Sequence, residues 1–324
     1  MKKIILLLCV ILAFTLCLAS CGGTGTPGGD EIPGGNDNPT EEPVGTEGLV
    51  YTLVGDAYSV TKYEGSATEV VIPATHEGKP VTSIGQEAFR ECEEITSITI
   101  PGSVTTIGAA AFYSCTKIES LVIPEGVKTI GMSAFESCYG IKSITIAGSV
   151  TTIEDRAFAG CSKIESLVIP EGVKTIGKLA FQGCRFTNIS LPNSLQVLAR
   201  SAFDLCYELE YNEYANAQFL GNESNPYVVM IGIDYHFLAG KSSFEIPDGT
   251  KIICARAFED CRTLRTIVIP DSIVSIGIYA FYGCDGLTEI RYSGSESQWN
   301  AVEKELFWDE NAGNFTVMYN YTGE

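Results

Sequence analysis

Only two histidines, His76 and His236, occur in the 324 residues, and neither stands in a nucleophile or zinc-binding motif. No carboxylates are paired at a spacing that would set them across a cleft. Acid–base, nucleophilic and metal chemistry therefore have little to work with, and no catalytic residue, cofactor or metal ligand is expected. Basic side chains are also scarce, 21 against 40 acidic ones, for a formal net charge of −19 at pH 7. That balance argues against nucleic acid and against anionic lipid bound through a basic patch. Its plainest effect is solubility. No apolar run reaches the ~20 residues that a membrane-spanning helix needs. The run from Ile4 to Leu16 follows Lys2 and Lys3 and reads as the h-region of a signal peptide, residues 1–20.

The h-region ends in Leu18-Ala19-Ser20-Cys21, which resembles the lipobox of bacterial lipoprotein precursors. The resemblance implies cleavage before Cys21, diacylation of its thiol, and a membrane contact made through that lipid. Two acyl chains hold a protein stably where one binds only marginally. Residues 21–48 then carry six acidic side chains, no Lys or Arg, and only Ile32 and Val44 as aliphatics. Such a stretch cannot bury enough apolar surface to offset its ordering entropy. It is expected to be a flexible tether with a reach of roughly 30 Å.

What the chain has in quantity is repetition. Ala-Phe-x-x-Cys occurs eight times, from Ala88-Phe89 with Cys92 to Ala280-Phe281 with Cys284. The spacing is 23 residues, apart from one step of 22 and one of 55. Between these motifs lie segments such as Ser120-Leu121-Val122-Ile123-Pro124, followed by Val127 to Gly131. Leu121 and Ile123 alternate with outward residues, as a half-buried strand requires. Pro124 stops the strand, and Val127 and Ile130 turn back inward. One such coil cannot bury its apolar face alone, but stacked coils can. The expectation is a mainly β, right-handed, leucine-rich-repeat-like solenoid with a parallel sheet, a Phe ladder and a Cys ladder.

The pattern L-x-x-I-x-I-P-x-x-V-x-x-I-G-x-x-A-F-x-x-C resembles the BspA-like (treponemal-type) leucine-rich repeat over about Val70 to Tyr292. The resemblance implies a surface-exposed bacterial protein, some members of the family being linked to adhesion. On this reading residues 49–324 are one solenoid. An N-terminal hairpin cap spans 49–69, with its turn at Gly55-Asp56, and repeats fill 70–294. A helix–strand cap spans 295–324, where Ser295-x-x-Gln298 opens a helix through about Phe307 and Phe315 to Tyr321 form a last strand.

Three features bear on function. Lys117 to Gly131 recurs identically as Lys163 to Gly177. A duplicated coil suits an extended repetitive surface better than a single reaction centre. The outward strand row (Thr99, Val122, Thr145, Val168, Ser190, Glu245, Val268, Arg291) is poor in the Trp, Tyr and Arg anchors of tight interfaces. The irregular insert at about 207–243 is rich in them. It reads either as a hairpin packing its own aromatics on the stack or as a binding surface. Its Tyr211, Tyr214, Phe219, Tyr227, Tyr235 and Phe237 are the candidate binding residues.

The nine cysteines after Cys21 are expected to be small buried thiols. Ladder neighbours lie nearly 5 Å apart, wider than a disulfide prefers, and no Cys-x-x-Cys is present. The function that follows is a non-catalytic, monomeric surface module binding a host or neighbouring-cell protein or glycan. The alternative is an envelope spacer with no specific ligand. If Cys21 carries the lipid, a Cys21→Ser precursor will leave the membrane fraction on detergent-free fractionation. Retention there contradicts the anchor.

Overall fold

The computed structural model describes residues 44–233 and 241–323. Cys21 and the tether up to residue 43 lie outside them, as do Tyr235, His236 and Phe237.

Each repeat is one coil with two short strands. In the strand Ser120–Ile123, Leu121 and Ile123 are buried while Ser120 and Val122 face solvent. After Pro124 the chain turns, Val127 packs inward, and a second strand, Thr129–Ile130, buries Ile130. The next coil sits in register 23 residues on, with Leu121 beside Ile144 and Ile130 beside Ile153. Two parallel ladders result. The ladder of short strands is the more continuous, a nine-stranded sheet that starts with the hairpin strand Leu49–Val54 and ends at Val197–Leu198.

The Ala-Phe-x-x-Cys turn makes a third ladder. Phe135 N–H donates to the Ala157 carbonyl and Ser137 N–H to the Ala159 carbonyl, both at 2.8 Å, across to the next coil. To aim these groups the turn uses two left-handed residues per coil, here Ser133 (φ 55°) and Ser137 (φ 63°). The strain is roughly 1 kcal/mol for each non-glycine residue, and cross-coil bonding offsets it. Inside the turn the phenylalanines stack face to face. From Phe89 through Phe112, Phe135, Phe158, Phe181 and Phe203, successive centroids lie 4.9, 5.0, 5.3, 5.5 and 5.7 Å apart. Strand spacing sets this interval.

The 46-residue duplication has a local cause. Gly126 adopts φ 109°, and a Cβ there would overlap the Gly102 carbonyl oxygen. Its N–H donates to Ser149 Oγ of the next coil at 3.1 Å, and that hydroxyl donates on to the Val127 carbonyl at 2.9 Å. The same Gly-to-Ser arrangement joins Gly172 to Ser194 and Gly249 to Ser272. Glycine coils and serine coils therefore alternate, and the natural unit is a pair.

The hairpin of Leu49–Val54 and Ala57–Tyr63 heads the short-strand ladder, and Ala57–Tyr63 pairs in parallel with Lys79–Ile84. At the other end the capping box of Ser295 and Gln298 is present. The helix it opens runs only Glu296–Ala301, not to Phe307, because Glu303–Lys304 rejoins the ladder beside Ser275–Ile276. Ladder pairing overrides helix propensity there. The last strand is Thr316–Met318, paired with Glu289–Tyr292.

Phe158 has 0% exposure and is stacked on both faces. Phe158→Ala should therefore lower stability by about 3–5 kcal/mol, read as a reduced midpoint in urea. An unchanged midpoint would contradict a packed ring ladder.

Candidate binding surfaces

The insert is a three-stranded antiparallel unit rather than a lone hairpin. Asn212–Tyr214 and Ala217–Leu220 meet at a turn whose Ala215 and Asn216 both have positive φ, the geometry of a two-residue hairpin loop. Ala217–Leu220 then pairs antiparallel with Val229–Ile233, whose far edge joins Ile252–Ile253 in parallel. The insert thus opens the second short-strand ladder, after the first has ended at Val197–Leu198. Two apolar cores meet in it: Leu220, Val228 and Val229 pack into the first, Ala217, Phe219 and Met230 into the second.

Of the six candidate aromatics, four lie among the described residues. Phe219 is a correction, since at 0% exposure it is core and has no surface to offer. Its strand alternates, and Phe219 points inward with Ala217. Tyr227 is half-buried, with Phe219 at 5.3 Å on one side and Tyr214 at 5.7 Å on the other. Tyr211 is half-buried against the first core, which pushes its phenol above the ordinary value. Tyr214 is 38% exposed. The more accessible residues stand at the start of the insert, before its first strand, where Tyr207 is 86% and Leu205 52% exposed. The break in period after Cys206 marked this stretch, but sequence gave no sign of which aromatics would face out.

A cleft of about 640 Å³ opens at this seam. Among the described residues Val197, Lys178 and Asp204 line it on one side, and Ile252, Arg256 and Tyr279 on the other. Ala199 and Cys254 also line it. Both occupy the place that glycine holds in Ile107-Gly108 and Ile130-Gly131.

Several carboxylates of the coils accept from neighbouring backbone. Glu154 accepts from Met132 N–H at 2.9 Å, Asp155 from Lys178 N–H at 2.7 Å, and Glu305 from Ile278 N–H at 2.8 Å. Glu171 works against partial burial, yet N–H bonds from Asn193 and Ser194 keep it below its ordinary value. His76 stacks on Tyr51 at 3.8 Å, with Tyr58 edge-on at 4.7 Å, within the N-terminal cap. Among the described residues no three His, Cys, Asp or Glu side chains converge to hold a metal ion.

The nine cysteines form no disulfide, and eight are buried. Their thiols do more than fill space. Cys115 Sγ donates to the Phe89 carbonyl at 3.0 Å and Cys138 Sγ to the Phe112 carbonyl at 3.1 Å. Cys161, Cys184, Cys206 and Cys284 repeat the contact. Each of these six thiols thus ties its own coil to the phenylalanine of the coil before.

This constellation defines a leucine-rich-repeat solenoid. The model of the BspA type leucine-rich repeat region matches in six copies, over residues 81–210 and 235–322, and the chain belongs to that family. Among solved structures it is similar to a leucine-rich cell surface protein from Faecalibacterium prausnitzii A2-165. That pair is 25% identical over 81% of this chain and 98% of the other, with a TM-score of 0.47. It is also similar to a leucine-rich repeat protein from Bacteroides ovatus ATCC 8483, 25% identical over 84% of this chain and 76% of the other, TM-score 0.48. A comparison with curated proteins gave no match.

Burial pushes the Cys138 thiol up to about 12 and the Cys206 thiol up to about 11, from 9.0. The folded state holds these thiols neutral while the unfolded chain begins to ionise near pH 9. Their contribution to stability is thus complete below pH 9 and is lost as pH rises toward 12. Melting temperature should fall steadily between pH 9 and 11, and iodoacetamide at pH 8 should label the eight buried thiols only after unfolding. Rapid labelling of the native protein would refute the sealed ladder.

Proposed function

We propose that the chain is a non-catalytic binding module displayed on a bacterial surface, held there by lipid on Cys21. Its partners are proteins or glycans met through repeated weak contacts. The observation that carries this reading is the paired-coil repeat. Lys117, Glu119 and Val122 recur as Lys163, Glu165 and Val168 two coils along, roughly 10 Å away by strand spacing. Val122 and Val168 are 55% and 66% exposed, so one chemical face is offered twice on one rigid frame. Two linked weak contacts raise avidity well beyond either alone. Surface display accords with the F. prausnitzii protein, whose description is a leucine-rich cell surface protein. Adhesion is the role that this arrangement suits best.

Tyr207 and Tyr214 are the anchors of the seam, being aromatic and exposed beside an otherwise small-residue surface. The test is an array of matrix proteins, mucins and glycans probed with the full mature chain and with Tyr207→Ala/Tyr214→Ala. Reproducible capture supports the reading, and capture of a protein partner should fall at least tenfold in the double variant at an unchanged melting temperature. Uniformly absent binding removes it and leaves the envelope spacer.

A further inference from the structure

The C-terminal cap departs from the repeat motif in a way that opens a second cleft. In a regular coil the turn after the short strand is Ala-Phe-x-x-Cys. In the last coil Trp308 takes over, its carbonyl accepting from Phe281 N–H at 2.9 Å and its ring meeting Phe281 edge-on at 5.8 Å. No cysteine follows. Residues 309–314 instead make a looser loop, with Asn311 left-handed at φ 56° and Gly313 N–H donating to the Cys284 carbonyl. Between this loop and the two preceding turns lies a solvent-open cleft of about 550 Å³, within the roughly 300–1,000 Å³ of small-ligand sites.

The lining side chains are Asp260, Arg262, Tyr282, Asp285, Asn311 and Asn314. Asp260 and Arg262 pair at 3.2 Å, so their charges cancel locally. The Asn311 and Asn314 amides and the Asp285 carboxylate make no hydrogen bond or ion pair among the described residues. The loop's own N–H groups at Ala312 and Gly313 are already bonded to Asp309 and Cys284. Recognition there falls to side chains, not to an open backbone edge that an extended peptide would need.

The free groups are of a particular kind. An amide offers donors and an acceptor together, and a carboxylate accepts from hydroxyls, so both suit adjacent hydroxyl groups, which donate and accept. Tyr282 adds a flat apolar ring for a C–H face. The chain's net charge of −19 disfavours an anionic ligand. We propose that this cleft is a binding site for a neutral saccharide. The site rests on the binding-module reading above and gives its glycan partner a location distinct from the tyrosines of the seam.

The probe is a panel of neutral oligosaccharides (glucose, galactose, mannose and N-acetylglucosamine oligomers) titrated into the full mature chain by calorimetry and saturation-transfer NMR. Asn311→Gly keeps the left-handed backbone and removes the amide, and Asn314→Ala removes the second. The expected result is binding of at least one panel member. It should weaken tenfold or more in the double variant, at an unchanged melting temperature, and be unaffected by Tyr207→Ala/Tyr214→Ala. Wild-type affinity in the Asn variant overturns the site, as does binding confined to sulfated or sialylated oligosaccharides titrated alongside the panel. Capture of matrix proteins with no saccharide bound overturns this site while leaving the surface-module reading standing. Absence of all binding removes both.

Discussion

A 23-residue coil has one apolar face and nothing of its own to cover it. Leu121, Ile123, Val127 and Ile130 all turn into the coil's interior and are sealed by their counterparts in the adjacent coils, such as Ile144 beside Leu121, and Ile107 and Ile153 beside Ile130. Each coil is therefore stable only as a member of a stack, and each interface must repeat the one before. The rest of the molecule answers to that requirement. Backbone ladders fix the register, stacked phenylalanines fill the turn, and six thiols bond their turn to a carbonyl of the preceding one. A side chain that breaks the interval disturbs two interfaces at once, so coil-to-coil tolerance is small.

The interval was legible in the sequence because strand alternation and motif spacing are local signals. The Phe and Cys rows, both caps and the position of the insert followed from them. Other features depend on what lies across an interface. The alternation of Gly126-type and Ser149-type coils was visible as a duplication, but its cause is a hydrogen bond between residues 23 apart. The helix after Ser295 has a sound N-terminal signal and still stops at Ala301, since Glu303–Lys304 gains ladder partners in Ser275–Ile276. Phe219 belongs to an aromatic-rich stretch and is nonetheless core. Composition identified that stretch and could not tell the inward aromatic from the outward one, because strand phase is set only when the insert docks on Ile252–Ile253.

The thiols illustrate how a residue can be chosen for two modest reasons together. A small buried side chain is needed where the turn passes close to the coil before it, and an orphan lone pair on each Phe carbonyl is available there. Cysteine fits the space and supplies a weak donor. Serine would donate more strongly but suffers more from desolvation where its second lone pair finds no partner. Raised thiol pKa values follow from this burial and signal inertness, not reactivity.

Positions that obey the motif are consumed by stacking, and this bears on where recognition resides. The inward rows are core, the turn N–H and C=O groups bond to adjacent coils, and several acidic side chains accept from neighbouring backbone. On a regular coil the outward strand row is made of small residues, adequate for broad contact and poor in anchors. The motif is relaxed at the seam, where Leu205 and Tyr207 stand exposed, and at the turn after Trp308, where Asn311 and Asn314 are exposed and make no side-chain hydrogen bond among the described residues. In a molecule built by copying one unit, side chains with uncommitted chemistry arise where a copy departs from the motif. The duplicated outward face thus offers broad, repeated contact, while the two sites with stronger anchors lie at departures from the repeat.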